Sequence, residues 1–156
     1  MLSKLADRGE IPQVIERLAN SSAHFRPLIL YTSSILEDGV LPVRPRELVI
    51  LRLASGGECA YMLAEHEPAA RALGISEEEI SFALDGMNES PSSLSQAEMA
   101  ALAFAGRTRS EEQRMRKSEF ELLAAEWGAE APIELLFVCS YWGGLMPSFI
   151  ASLGIK

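Results

Sequence analysis

The sequence predicts an all-α fold, a single-domain helical bundle of about eight helices. Helix-capping residues recur at regular intervals along it, and apolar residues return at the i, i+3, i+4, i+7 spacing of a helix face. No stretch alternates apolar and polar residues over strand length between turn residues, so no sheet is expected.

In chain order, helices are expected near 12–19 and 27–38, opened by Pro12 and Pro27, the second closed by Gly39. Pro45 and Pro132 open helices near 45–54 and 132–150 in the same way, since the missing amide costs nothing at a first helical position. A helix near 58–73 follows the Ser55-Gly56-Gly57 connection and stops at Gly74. Three capping boxes, Ser76-x-x-Glu79, Ser95-x-x-Glu98 and Ser110-x-x-Gln113, open helices near 77–84, 96–107 and 111–126. Gly86 and Gly128 close the first and last of these. The widest break, DGMNESPSSL at 85–94, reads as a loop within one domain spanning 1–156.

A chain of 156 residues has room for one real core, burying roughly 70% of its unfolded surface. Its 48% apolar and 23% charged residues fit a soluble globular class. The net charge of −8, with no Lys/Arg cluster, argues against a nucleic-acid partner. Cys59 and Cys139 cannot frame a secreted disulfide scaffold, so a reducing cytoplasm is the expected location. MLSKLADRGE has no apolar segment of the signal-peptide kind. Leu135 to Ile155 runs without a charge for a length that would cross a bilayer. Gly143-Gly144, Pro147 and three serines interrupt it, so it reads as a core helix or subunit interface, with no membrane partner.

Candidate chemistry concentrates in RELVILRLASGGECAYMLAEH, residues 46–66. Glu47 stands twelve residues before Cys59, and His66 seven after it. Met62, Leu63, His66 and Ala70 share one apolar helix face with Cys59 and Leu73, so His66 points to the interior or an internal pocket. On a helix, position 62 is one turn from His66, whereas Cys59 lies ~10.5 Å away along the axis. A thiol at 59 therefore cannot pass its proton directly to His66. Met62, a thioether, has no proton to lose. Each candidate also has a structural reading: His66 as a core histidine, Glu47 as a first-turn dipole or cap residue, Tyr61 as an interface tyrosine, Cys139 as a small apolar filler. Arg44, Arg46 and Arg52 are cations near Glu47, with surface salt bridges as their default role.

This frame resembles the carboxymuconolactone decarboxylase and alkyl hydroperoxidase D-like family, most specifically over residues 24–85. In thiol-active members a Glu, two cysteines of a Cys-x-x-Cys motif and a His form a proton relay and disulfide centre. The resemblance places the attacking cysteine at Met62 and the resolving one at Cys59, so peroxidase chemistry is disfavoured here. Tyr61 occupies the place where such relatives often carry a second His. The resemblance implies a homo-oligomer, trimer or hexamer, and a small-molecule substrate. The first expectation is a cofactor-free acid–base enzyme acting on a small organic acid or lactone through Glu47 and His66, with Cys59 and Tyr61 as further candidate residues. A non-catalytic oligomeric binding or scaffold member is the second, and a thiol antioxidant turning over a hydroperoxide at Cys59 the third. With two histidines and no paired ligand motif, no metal is expected, and no cofactor fingerprint is present.

Overall fold

The computed structural model describes residues 11–86 and 89–156. Its elements are α1 (Gln13–Leu18), α2 (Ser22–Glu37), α3 (Val43–Gly56), α4 (Ala60–Ala72), α5 (Glu77–Asp85), α6 (Gln96–Arg107), α7 (Lys117–Trp127) and α8 (Ala131–Ser140). A π-helical turn, Tyr141–Leu145, then leads into α9 (Met146–Ser152). There is no strand among the described residues, so the all-α expectation holds.

Helix α3 is the hub, packed by α4, α5, α6, α8 and the π turn. Its residues from Pro45 to Leu51, with Leu53 and Ala54, are buried, the pattern of a helix covered on all sides. Val49, Ile50 and Leu53 face the main core, where Leu135, Val138, Tyr141 and Trp142 meet them. Leu48 and Leu51 face a second cluster with Ile75, Ile80, Phe82 and Leu102. Each such aliphatic side chain contributes roughly 1.5–3 kcal/mol by leaving water.

The Ser76 and Ser95 capping boxes form as predicted, each serine accepting from the amide three residues on while that glutamate accepts in return. Three predicted starts are corrected. Helix α2 begins at Ser22, so Pro27 lies inside it. The acceptor left unpaired, the Ala23 carbonyl, belongs to an exposed residue that water can serve. Helix α3 begins at Val43, two residues before Pro45. A proline at the third position also lacks only an amide that would have had no intrahelical partner. The Ser110 box does not form. The Ser110 hydroxyl donates to the Arg107 carbonyl at 2.9 Å and accepts from the Glu112 amide at 3.1 Å, finishing α6 rather than starting α7. Helix α7 starts at Lys117, with the Glu119 carboxylate accepting from the Arg116 amide at 2.8 Å.

The stretch Ala131–Ser152 is long and apolar enough to cross a membrane by length and composition. Its buried residues, among them Leu135, Val138, Tyr141, Trp142, Met146 and Ile150, belong to the main core, as the sequence reading expected. On the outer side Ile133 and Phe137 stay exposed, beside Tyr31 of α2, whose ring meets Phe137 edge-on.

Arg44 ties α3 to the starts of α5 and α6, donating to Glu79 at 2.6 Å and to Glu98 at 3.0 Å. Burial alone would raise the Glu79 carboxyl, but Arg44, the Ser93 hydroxyl and the Ser76 amide outweigh it and hold the group at about 2. A folded value below the ordinary 4.5 means that Glu79 stabilises the fold above that pH, and that this contribution drains away as pH falls toward 2. Arg44→Met should therefore cost roughly 1–3 kcal/mol at pH 7, and Glu79→Gln should flatten the acid limb between about pH 4.5 and 2. Urea denaturation across that range checks both. Unchanged midpoints for Arg44→Met would show that this tie does not stabilise the fold.

Candidate functional site

Glu47 is the fifth residue of α3, past the first turn where a carboxylate would cap amides. The early start of the helix thus withdraws the capping role. Glu47 is instead buried, and its Oε2 lies 2.8 Å from Nδ1 of His66 on α4. An ionised carboxylate only accepts, so the proton of this bond sits on Nδ1 and neutral His66 keeps Nε2 as a free base. The imidazole side chain is 19% exposed, mostly buried but within reach of solvent. The Trp142 ring meets it edge-on at 6.3 Å between centroids.

The pair lines a cavity of about 440 Å³. Its apolar walls come from α1, α2, α4 and the chain end, with Ile15, Leu36, Met62, Trp142, Met146 and Ile150 prominent. Polar groups reach it from Thr32, Tyr61 and Tyr141, and carboxylates from Glu37 and Glu65. The Thr32 hydroxyl donates to the Leu28 carbonyl at 2.8 Å, so its hydrogen bond with Tyr141 is received from the phenol. Burial raises the Tyr141 phenol above its ordinary value, against the Thr32 bond, and keeps it a donor. Burial also raises Tyr61, against the amides of Val14 and Gln13. Those amides approach without completing a hydrogen bond, and the buried Tyr61 hydroxyl has no partner among the described residues.

The thiols lie elsewhere. Cys59 is the N-cap of α4, packed part-buried against the main core, and it lines a second groove with Gly57, Arg109, Gly143 and Lys156. Met62 is 3% exposed and takes the place beside His66. Cys139 is free, buried in the core and pushed up to about 12 by that burial. Cys59 is also free, and neither cysteine lines the cavity that holds His66. Of the predicted site residues, Glu47, His66 and Tyr61 come together, and Cys59 does not join them. No group of three or more His, Cys, Asp and Glu side chains able to hold a metal occurs among the described residues.

The family model for the carboxymuconolactone decarboxylase family matches residues 23–107, more than half of the chain. This chain belongs to the carboxymuconolactone decarboxylase family. The match reaches past residue 85 to take in α6, beyond the segment whose motif suggested the family. The crystal structure of an uncharacterized peroxidase-related protein from Silicibacter sp. TM1040 has the same fold, with a TM-score of 0.82 and 15% sequence identity. It covers 97% of this chain, which spans 79% of that one. No functionally curated protein matches the sequence. Within the family fold, sequence reasoning missed Tyr141 and Trp142, which form the cavity wall from the π turn. Their one signal was Gly143-Gly144 interrupting an uncharged helical run, a common setting for a helix irregularity.

Neutral His66 should carry its proton on Nδ1 in long-range ¹H–¹⁵N spectra. Glu47→Gln, whose amide can also donate, should shift the population toward the Nε2–H tautomer. An unchanged tautomer in the variant would show that Glu47 does not hold the ring.

Proposed function

We propose that this member of the family is a cofactor-free acid–base enzyme acting on a small organic acid or lactone, with Glu47 and His66 as its proton-handling pair. The observation that carries the reading is the 2.8 Å bond between a buried carboxylate and an imidazole at the edge of a cavity of about 440 Å³. Nε2 of His66 takes a proton from carbon beside a carbonyl, and Glu47 stabilises the imidazolium that forms. The electron pair left by the C–H bond moves onto the carbonyl oxygen. The Tyr61 hydroxyl, buried and without a partner among the described residues, is the donor suited to that oxygen as charge develops. The proton on Nε2 then returns to carbon, closing the cycle without an oxidant or reductant.

The thiol alternative is weakened by the placement of Met62, and not Cys59, beside His66. The exposed apolar side chains of α2 and α8, among them Leu30, Tyr31, Ile133 and Phe137, suit contact with further copies of the chain. A homo-oligomer, trimer or hexamer, accordingly accompanies the proposal.

Exchange of deuterium from solvent into a β,γ-unsaturated γ-lactone such as α-angelica lactone tests the chemistry. His66→Gln should slow exchange ~10²–10³-fold, within the usual range for loss of a general base. Exchange no faster than in buffer, or unaffected by the substitution, would overturn the reading. The same protein should not turn over an organic hydroperoxide with a thiol reductant. Sedimentation should show a species larger than 17.1 kDa at micromolar concentration, and a monodisperse monomer would count against assembly.

A further inference from the structure

The cavity that holds His66 is backed by a second space. Along the last helical run Trp142, Met146 and Ile150, each four residues from the next, line the cavity. Gly143, Gly144, Pro147, Ser148 and Ala151 line instead the groove of about 540 Å³ that holds Cys59. The bulky residues on one side of this run make a wall, and the small ones on the other side leave room behind it. On α4 the same division falls between Met62 and His66, which line the cavity, and Ala60, which lines the groove.

Among the described residues two belong to both linings, Tyr61 on α4 and Ile150 on α9. At that point the partition is one side chain deep from each helix. Ile150 is 4% exposed and the Tyr61 hydroxyl is buried, so the wall is closed as it stands. On the cavity side the surface leading up to it is apolar, with Met62, Trp142 and Met146 next to the shared pair. Such a surface suits an aliphatic chain, since each methylene taken out of water tightens binding about fourfold. The gain stops where the chain meets a wall that does not give.

We propose that Tyr61 and Ile150 are a specificity-determining end wall: they set the length of aliphatic chain that a substrate can carry, and the Cys59 groove is the room a longer chain would enter if Ile150 were cut back. This rests on the reading of the cavity as the substrate site, and it gives the lactone of that reading an aliphatic chain of limited length.

Saturated γ-lactones bearing methyl, butyl, hexyl and octyl chains test it, titrated at pH 7 while the Trp142 indole N–H signal is followed by NMR. In the wild type, binding should tighten from methyl to butyl and stop tightening before octyl. Ile150→Ala should extend the gain through octyl. Ile150→Val, which keeps a branched side chain in the core, should move the limit part of the way. Cys139 is buried, so N-benzylmaleimide is directed to Cys59 and fills the groove from its own side. That alkylation should restore the wild-type limit in Ile150→Ala and leave the wild-type series within about twofold. A gain that continues to octyl in the wild type overturns the proposal, as does the same limit in all three proteins. So does a limit in Ile150→Ala that alkylation of Cys59 leaves unmoved, or a Trp142 signal silent to every lactone. Failure of the acid–base reading is separate from this. It would appear as loss of exchange into α-angelica lactone while the chain-length limit persists.

Discussion

Helix α3 is covered on nearly every side, yet it carries Arg44, Arg46, Glu47 and Arg52, and much of the surrounding architecture serves those four charges. Leaving any of them buried and unpaired would cost more than one aliphatic contact returns. Four of the neighbouring helices accordingly meet α3 with a polar group as well as an apolar face. Helix α2 offers the Ile35 carbonyl to Arg46, and α5 offers the Phe82 carbonyl to Arg52. Glu79 and Glu98 come with the capped starts of α5 and α6. Helix α4 brings His66 to Glu47. The candidate site is thus one of several polar joints on a single central helix. It differs from the others in opening onto a cavity and in ending on a group that can both take and release a proton.

Much of the bundle was legible in the sequence because its signals are local. Ser76-x-x-Glu79 and Ser95-x-x-Glu98 close hydrogen bonds within one turn, so tertiary packing has little to override. Proline was a poorer guide. It is tolerated at several early helical positions for the same reason, the absence of an intrahelical partner for the amide, and it marks a beginning only to within a few residues. That imprecision bore directly on the site. Counted from Pro45, Glu47 falls in the first turn and capping explains it; counted from Val43, it does not. The partnership with His66 could be read from the family frame, whereas the aromatic wall from Tyr141 and Trp142 depends on how the last helical run deviates from regular α geometry, which periodicity alone does not report.

Met62 sets the character of the space beside His66 in this chain. A thioether buried beside His66 adds apolar surface where a thiol would add a titrating nucleophile. The carboxylate–imidazole pair remains, now facing walls of Leu36, Met62, Met146 and Ile150. Family membership and the shared fold are compatible with several chemistries, and it is the lining of the cavity that distinguishes them.

The π turn at Tyr141–Leu145 is, in chain terms, one residue more than a regular helix needs over that length. Each residue of an α-helix advances the direction of the next side chain by about 100°. Loss of either Gly143 or Gly144 would let the run close into continuous α-helix, and because the wide turn already absorbs the extra residue, Met146 and Ile150 would keep their facing while the wall formed by Tyr141 and Trp142 changed shape. Glu47 and His66, which lie on helices upstream, would keep their places. A single-codon deletion at this point would therefore refit one wall of the cavity in one step while sparing the Glu47–His66 pair, a route by which one scaffold can change the shape it admits without disturbing the polar joint beside it.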